Sequence, residues 1–399
     1  MKAKINYKYA VISTVFFSIF FILACQQSGQ QKTKSVYVDE EFKSLFYTDS
    51  GGITGADGIF SVPLSDGSSV FFLGDCFLGT VKNGARDYNT TMLRNAFNVI
   101  NEEQTNASAI YLGEYDNPIT LMHPVNEPGD STYRWHWPGH GFVRNDTLYV
   151  FALNLYNEPT AKVVIDKNIE DQDDVDKLTE DMFAFRLRSI DLLTFTLPDF
   201  THIKTYSKVG FDYSGRSIDL GNCVMVDGDY VYIFGTENLP GFSKIHVARV
   251  LYNSKNFTEG WEYSTVDGWD TNIMNSKPIE IDVSVSEQFS IFKYNDKYIL
   301  LTQERAGTDI YTYVSDYPNK DFKNKKFIYH TPDHDLDSTK RIFPYNALAH
   351  VQYIENNELL VSYCVNSRRV RDVFENVDNY RARFLRVPME LILNEDKQE

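Results

Sequence analysis

The chain has 399 residues and a formal net charge of −16, which argues against a nucleic-acid partner because no local basic patch offsets the acidity. Three cysteines remain once Cys25 is set aside, and an odd number cannot complete a disulfide framework. No pair among them has the spacing of metal ligands, so we expect Cys76, Cys223 and Cys364 to be buried thiols within strands.

The first 25 residues have the pattern of a processing segment. Lysines precede an apolar run from Tyr9 to Ala24, which is shorter than the roughly 20 residues of a membrane-spanning helix. The run ends in Leu23-Ala24-Cys25, which resembles the lipobox of bacterial lipoproteins. This resemblance implies a lipid on Cys25 and a place in the cell envelope, at the outer membrane or cell surface. An uncleaved anchor helix is the alternative, and either anchor makes the membrane a partner.

The sequence therefore divides into a signal peptide over residues 1–25, a polar tether over 26–35 and one domain over 36–399. The domain contains most of the 26 tyrosines and 28 phenylalanines, in short alternating runs broken by Gly, Asn and Asp. Such runs are typical of strands separated by tight turns. The acidic segment from Val164 to Glu180 lacks a clear apolar stripe, and we interpret it as an insertion with some helix.

One hairpin pattern recurs five times along the domain. In each copy two apolar runs flank a dipeptide whose residues tolerate the positive φ of a tight hairpin turn. The five dipeptides are Asp66-Gly67, Asn145-Asp146, Asp227-Gly228, Asn295-Asp296 and Asn356-Asn357. A further strand-like run follows each hairpin, as a propeller blade requires. The sequence predicts an all-β fold, a five-bladed β-propeller closed by a strand over Val36–Phe46, with a β-sandwich as the alternative.

Polar residues mark the end of each hairpin that lies opposite its turn. There the residues before the first strand and after the second strand meet, and in a propeller they ring one end of the central funnel. Before the first strands these residues are Asp57, His136, Asp219, Glu287 and Asn346. After the second strands they are Asp75, Asn154, Glu237, Glu304 and Asn366. The sequence therefore predicts the functional site at this end.

Two motifs in the first two hairpins supply candidate residues. Asp57 lies between Ala56 and Gly58, and Asp75 follows Gly74, so each acid can approach a ligand with little steric cover. A simple turn is the alternative role for Asp57. The second motif offers aromatic faces and imidazoles to a sugar, although core packing is the alternative for one tryptophan. Its candidates are Trp135, His136, Trp137 and His140.

The later hairpins add further candidates. Glu287 stands at the start of an inner strand, where a surface glutamate is the alternative, and Glu237 ends another strand. Asn346 and His350 share one motif, and a satisfied structural histidine is the alternative to a binding role for His350. Asn222, just before the third inner strand, is a weaker candidate.

Several of these motifs together resemble a family of uncharacterised Bacteroidetes lipoproteins. That family is similar in architecture to five-bladed propeller glycoside hydrolases of the arabinanase, fructosidase and arabinofuranosidase type. The resemblance is carried by the segments 54–58, 72–79, 345–350 and 361–367. It implies an aspartate on the first blade as base or nucleophile and a glutamate on a later blade as acid. It also implies a possible calcium or sodium ion at the axis near His350.

The resemblance leaves the residue roles partly open. Asp57 matches the aspartate by position, whereas Glu287 and Glu237 both match the glutamate. The second-blade aspartate that commonly tunes the acid has no counterpart, because Trp137–His140 occupies its place.

Glycoside hydrolysis needs two carboxyl groups across a sugar, one protonated and one charged. The first hypothesis is therefore an envelope glycoside hydrolase for a poly- or oligosaccharide, with Asp57 as base or nucleophile, Glu287 as acid and Asp75 as a tuning residue. Trp135, Trp137 and His140 would shape the sugar subsite. A non-catalytic glycan-binding lipoprotein is the second hypothesis, and a scaffold for protein partners is the third. The oligomeric state and the stereochemical outcome stay open.

Overall fold

The computed structural model describes residues 35–126, 129–130, 132–157, 185–209 and 217–394. The predicted signal peptide with Cys25, nearly all of the tether and the predicted insertion over Val164–Glu180 lie outside these ranges. Within them, no helix has both the length and the apolar character needed to cross a membrane.

The described ranges contain twenty-eight strands and a few short helices. The strands are β1 (Tyr37–Val38), β2 (Gly55–Ala56), β3 (Phe60–Pro63), β4 (Ser69–Leu73), β5 (Cys76–Phe77), β6 (Val81–Lys82), β7 (Ala85–Arg86), β8 (Met92–Leu93), β9 (Ala96–Ile100), β10 (Ala107–Ile110), β11 (Leu112–Glu114), β12 (Asn117–Ile119), β13 (Arg134–Arg144), β14 (Thr147–Asn157), β15 (Phe185–Thr196), β16 (His202–Tyr206), β17 (Asp219–Asp227), β18 (Tyr230–Leu239), β19 (Phe242–Leu251), β20 (Glu262–Ser264), β21 (Trp269–Asp270), β22 (Ser290–Tyr294), β23 (Lys297–Gln303), β24 (Asp309–Ser315), β25 (Lys323–His330), β26 (Ile342–Glu355), β27 (Glu358–Ser367) and β28 (Arg383–Pro388). The helices are α1 (Glu40–Phe46), α2 (Asp333–Leu336), α3 (Val370–Glu375) and α4 (Met389–Leu393), with 3-10 turns at Ile273–Asn275 and Val377–Tyr380.

Most of the described strands belong to five antiparallel sheets of four or five strands each. Each of these sheets contains one of the five predicted hairpins, and later strands extend it outward. The hairpins are β3–β4, β13–β14, β17–β18, β22–β23 and β26–β27. Both residues have positive φ in the three Asx-Asx turns, for example 48° at Asn145 and 56° at Asp146, whereas in the two Asp-Gly turns only the glycine does. The five hairpins are therefore confirmed.

The first strands of the sheets close a ring. Each contacts the first strand of the next sheet, and β26 contacts β3. Both faces of the sheets are buried: Phe71 packs in a core with the last sheet and Phe72 in a core with the second sheet. Successive residues of a strand point to opposite faces, so a sheet buried on both faces needs a continuous apolar run. This arrangement is a β-propeller, and the predicted all-β propeller fold is confirmed.

The N-terminal segment joins the last sheet, although the predicted strand over Val36–Phe46 is wrong for most of its length. Only β1 is extended, and it pairs with β28 as the outermost strand of that sheet. Helix α1 follows because the Asp39 side chain accepts a hydrogen bond from the backbone N–H of Phe42 at 2.9 Å. Phe42 and Phe46, four residues apart, then share one helix face and pack on Phe384.

The three cysteines of the domain are free and buried, within β5, β17 and β27. Burial raises the pKa of the Cys223 thiol to about 12, which keeps it protonated and unreactive. The prediction of buried thiols within strands is confirmed.

Candidate functional site

One end of the ring gathers the segments around Asp57, Trp137, Asp219, Glu287 and Tyr345, one from each large sheet. We call this end the mouth. It is the end where the first strands begin and the second strands finish, as the sequence predicted. Each segment enters or leaves a buried strand, so the backbone that carries its polar side chains is held by the sheet.

Asp57 and Asp75 form what we call the aspartate pair. The short strands β2 and β5 pair beside the first sheet, and Asp57 follows β2 while Asp75 precedes β5. The backbone N–H of Asp57 donates to the Asp75 carbonyl at 3.3 Å, and the N–H of Gly74 donates to the Asp57 carbonyl at 2.8 Å. A Cβ atom on Gly74 would clash with Oδ1 of Asp57, so the glycine makes room for this carboxyl group.

The Asp57 carboxyl group lies among hydroxyl groups. Tyr345 donates its hydroxyl to Oδ2 of Asp57 at 2.7 Å, and the Tyr380 hydroxyl also interacts with Asp57. Burial, together with the negative charge of Asp75, raises the pKa of Asp57 to about 7 in spite of these donors. Asp57 therefore exchanges a proton near neutral pH.

The Asp75 carboxylate has stronger partners. Arg94 Nη1 lies 3.1 Å from Oδ2 of Asp75, and the indole N–H of Trp137 donates to Oδ1 at 3.0 Å. Burial raises the pKa of Asp75, against the lowering effect of the Arg94 charge. Because Arg94 contacts Asp75, we assign the negative charge of the aspartate pair to Asp75 and the titrating proton to Asp57.

Arg94, Tyr345 and Tyr380 were not predicted as site residues. Tyr345 lies inside the motif that supplied its neighbours Asn346 and His350 as candidates. Its hydroxyl reaches an aspartate 288 positions away, so no local spacing connects the two. Arg94 and Tyr380 come from a loop and a 3-10 turn without any motif.

Asp219 and Glu287 are joined by a second set of contacts, which we call the carboxylate network. Asn238 Nδ2 donates to Asp219 at 3.3 Å, and Ser243 Oγ donates to Asn238 Oδ1 at 2.8 Å. Arg305 donates to Ser243 Oγ at 2.8 Å and to Glu287 Oε1 at 3.1 Å. Burial, together with the charge of Glu287, raises the pKa of Asp219 to about 6. The Glu287 side chain is 59% exposed and is thus open to a ligand.

The chain beside Glu287 lies next to the segments around the aspartate pair in two places. Ser286 Oγ donates to Asn346 Oδ1 at 2.6 Å, next to the tyrosine that contacts Asp57. Asn346 has a φ of 55° and lies at an irregularity of β26. A Cβ atom on Gly58 would lie 3.7 Å from Gln288 Nε2. The chain on both sides of Glu287 therefore lies beside the chain that carries Asp57.

Glu237 is less accessible than Glu287, because its side chain is only 15% exposed. Its Oε2 lies 3.1 Å from Nε2 of the buried His246, and Nδ1 of His246 lies 2.8 Å from Ser276 Oγ. Of the two glutamates that the resemblance left open, Glu287 is the better placed to meet a ligand.

Two of the three candidate histidines bridge the inner strands. Val224 N–H donates to Nδ1 of His140 at 2.9 Å, so Nε2 carries the proton and donates to the Ser61 carbonyl at 3.1 Å. His350 contacts the hydroxyls of Ser61 at 2.7 Å and Ser362 at 2.8 Å. Burial lowers the pKa of His140 to about 4 and that of His350 to about 3. Both rings are neutral and structural, so the predicted binding roles do not fit them.

His136 belongs to a buried network inside the second sheet. Its Nε2 lies 2.9 Å from Asp191, whose carboxylate also accepts hydrogen bonds from Asn154 and Ser189. Asn222 is likewise buried and donates to Thr236 Oγ1 at 3.1 Å. Both residues hold their own sheets together.

The axis does not fit the calcium or sodium ion that the resemblance implied. Hard cations of this kind prefer carboxylate, carbonyl and water oxygens. Here His140, His350 and Ser61 use their polar atoms in hydrogen bonds within the ring. Across the residues that the structure describes, no three His, Cys, Asp or Glu side chains form a metal-binding group.

The aromatic side chains divide into buried and exposed ones. Trp135 is only 4% exposed and packs against Trp137 and under Arg94, so its faces are not open to a sugar. Trp137 is half-buried and uses its indole N–H on Asp75. Tyr133, which was not predicted, is 61% exposed and stacks on Trp135 at 5.7 Å. Tyr133 is therefore the better stacking surface for a sugar.

A cavity of about 370 Å³ lies elsewhere, between outer strands of the first and second sheets. Leu121, Leu193, Phe200 and His202 are among its lining residues. None of the predicted site residues lines it, and the carboxyl groups of the mouth point to a different place for chemistry.

Comparison with solved structures extends the description of the fold. A presumed hydrolase of Bacteroides ovatus is similar, with 19% identity and a TM-score of 0.69 over 88% of this chain and 90% of that one. A family 117 glycoside hydrolase of the marine bacterium Zobellia galactanivorans has 10% identity and a TM-score of 0.48 over 91% and 92%. An α-L-arabinofuranosidase of Podospora anserina has 11% identity and a TM-score of 0.42 over 85% and 92%. At 19% identity the likeness to the Bacteroides ovatus structure shows the fold and leaves the activity open.

Comparison of sequences gives a family without an assigned activity. The profile described as "Domain of unknown function (DUF5005)" matches residues 39–390, which include every strand of the large sheets except β1. No curated protein is similar in sequence to this chain.

Proposed function

The chain belongs to the DUF5005 family, and we propose that it is a glycoside hydrolase that works at the mouth of the propeller. The observation that carries the proposal is the aspartate pair, in which burial and the charge of Asp75 raise the pKa of Asp57 to about 7. Glycoside hydrolysis needs one protonated and one charged carboxyl group on either side of the scissile bond. The mouth offers Asp57 and the exposed Glu287 for these tasks.

Asp57 is proposed as the base or nucleophile. A carboxylate with a pKa near 7 is a stronger base than an ordinary aspartate, and such a pKa suits proton transfer at neutral pH. The Tyr345 hydroxyl orients the Asp57 carboxylate, and Asp75 supplies the charge that maintains its basicity.

Glu287 is proposed as the acid, with Asp219 as the residue that keeps a proton available. Asp219 is buried beside the charge of Glu287, and both effects favour its protonated form. Asp219 would thus take the tuning role for which the second hairpin offered no aspartate. Its pKa is raised to about 6, in part by Glu287. Tyr133 and Trp137 are proposed to contact the sugar.

The roles can be separated with aryl glycosides whose leaving groups differ in acidity, after a screen of arabinans, fructans, xylans and host glycans finds the sugar. Asp57→Asn should lose activity by a factor of about 10² to 10⁴ on every leaving group. Glu287→Gln should lose about as much with poor leaving groups and far less with a dinitrophenolate, which departs without a proton. Asp66→Asn, at a turn remote from the mouth, is the matched control and should keep full activity.

Three outcomes would count against the proposal. Wild-type protein that binds glycans without releasing products would be a glycan-binding protein. Activity that survives in Asp57→Asn would remove the aspartate pair from the chemistry. If the activity loss depends on the leaving group in Asp57→Asn and does not in Glu287→Gln, then Asp57 is the acid and Glu287 the base or nucleophile.

We also propose that the protein is a surface lipoprotein anchored through Cys25, which the lipobox-like Leu23-Ala24-Cys25 supports. Cells grown with an alkynyl fatty acid should label the wild type, and Cys25→Ser should stay unlabelled and leave the membrane fraction. Equal labelling of the two proteins would contradict the anchor.

A further inference from the structure

Arg368 stands at the mouth, directly after β27. Its backbone N–H donates to the Arg341 carbonyl at 3.0 Å, across the end of the β26–β27 hairpin that lies opposite the turn. The side chain is exposed, and its guanidinium lies 5.6 Å from the centre of the Phe343 ring. Within the described ranges, no carboxylate lies within ion-pair distance of this guanidinium. Among the described residues, Arg86 and Arg144 also lack an acidic partner, but their guanidinium groups donate to backbone carbonyls, whereas that of Arg368 is exposed to solvent.

The arginine is close to the proposed chemistry. Phe343 packs on Tyr345 with ring centres 5.5 Å apart, and the Tyr345 hydroxyl donates to Asp57 at 2.7 Å. Two aromatic rings therefore separate the Arg368 guanidinium from the Asp57 carboxyl group. The Arg368 guanidinium is thus connected by side-chain packing to the residue proposed as base or nucleophile.

Two neighbouring arginines already pair with the nearby carboxylate of Asp372. Arg341 binds Asp372 through two nitrogens, at 2.8 and 3.2 Å, and Arg369 Nη1 lies 3.8 Å from the same carboxylate. The hydroxyl of Ser367 donates to Asp372 as well. With Asp372 shared in this way, Arg368 adds an uncompensated positive charge to this side of the mouth.

We propose that the mouth binds a glycan that carries an anionic substituent, a carboxylate or a sulfate, and that Arg368 recognises it. The guanidinium fork matches the paired oxygens of both groups, and the Phe343 ring holds it in place while leaving its donors free. A neutral glycan would leave this charge without a partner. The inference rests on the proposed function only in that a glycan occupies the mouth.

The test is an array that pairs uronic-acid glycans with their methyl esters and sulfated glycans with their desulfated forms. The wild type should bind the charged glycans more tightly than their neutral counterparts. This preference should weaken as the sodium chloride concentration is raised. Arg368→Gln should bind the charged members about 10-fold more weakly, and Arg368→Lys should recover part of the loss. Tighter binding of the uronic-acid glycans would identify the substituent as a carboxylate, and tighter binding of the sulfated glycans would identify it as a sulfate.

Arg249→Gln is the matched control. Arg249 also lies over an aromatic ring, 4.2 Å from the centre of Tyr230. It pairs with Tyr232 toward the Asp227-Gly228 turn, remote from the mouth, and differs from Arg368 in its ion pair with Glu262 at 2.8 Å. This variant should bind like the wild type. Equal binding of charged and neutral members, or wild-type binding by Arg368→Gln, would overturn the inference.

Turnover separates this inference from the proposed function. Charged glycans that bind through Arg368 and yield no products would support the inference and refute hydrolysis. Hydrolysis of charged glycans at the same rate by the wild type and Arg368→Gln, and no faster than that of their neutral counterparts, would support the proposed function and overturn the inference.

Discussion

The aspartate pair and the carboxylate network occupy the same mouth, yet they hold their carboxyl groups in different ways. Asp57 and Asp75 meet across a backbone pairing and are covered by Tyr345, Trp137 and Arg94. Asp219 and Glu287 belong to neighbouring sheets and are connected through a chain of side-chain hydrogen bonds. Glu287 itself is 59% exposed, whereas Asp75 is 15% exposed.

This difference suits the two tasks of a hydrolytic site. A group that acts on the sugar carbon must be held in one place, and backbone pairing with a glycine neighbour provides this for Asp57. A proton donor must reload from water, and the exposed Glu287 can do so. Burial is the first cause of the raised pKa at both Asp57 and Asp219, and a neighbouring carboxylate adds to it.

The largest expected effect is on stability, and it compares the two regions directly. The pKa of Asp57 is raised from 3.8 to about 7, so the folded state binds more protons than the unfolded state in that range and stability falls as pH rises through it. Asparagine does not ionise. Asp57→Asn should therefore be more stable than the wild type by on the order of 3 kcal/mol at pH 8 and about equally stable at pH 4.

Asp219→Asn should show the same trend with a smaller gain, on the order of 1 kcal/mol, because its pKa is raised only to about 6 and solvent reaches the adjoining Glu287. Urea unfolding of both variants at pH 4 and pH 8 measures the difference. A gain at Asp219 equal to that at Asp57, or a loss at either site at pH 8, would remove the contrast between the two regions.

A smaller effect is expected from Asp75→Asn, which sharpens the assignment within the aspartate pair. Removing the Asp75 charge should lower the pKa of Asp57 below about 7, and the unpaired Arg94 charge should lower it further. Burial remains, so we expect a shift of about one pH unit. The acid limb of the activity profile should move to lower pH by that amount, and NMR titration of labelled aspartate should show the same shift without substrate.

Asp66→Asn is again the control and should leave the acid limb unchanged, because Asp66 lies at the turn end of the same hairpin. If the limb stays in place in Asp75→Asn, the two carboxyl groups are not coupled. If it moves to higher pH, Asp75 carries the proton and Asp57 the charge.

The partners of the three candidate histidines could not be predicted from the sequence. Their position beside the predicted mouth made His136, His140 and His350 candidates for ligand binding. In the structure His136 pairs with Asp191, and His140 and His350 both meet Ser61, 79 and 289 positions away. A polar residue at a strand end can turn toward the funnel or into the sheet, and only its partners decide which.

The sequence by itself determined the sheets and the end of the molecule where polar groups gather. Alternating apolar runs and turn dipeptides such as Asn145-Asp146 are local signals, since they act over the few residues of one hairpin. They also predicted that Asp57, Asp75 and Glu287 lie at the same end of the ring, the mouth.

Only the tertiary structure decided what each of these carboxyl groups meets. Tyr345 reaches Asp57 from the last sheet, Trp137 reaches Asp75 from the second, and Arg368 is left without an acidic partner among the described residues. These contacts arise when the ring closes and join positions up to 288 residues apart. Burial and neighbouring charge set a pKa, and both exist only once the sheets are packed.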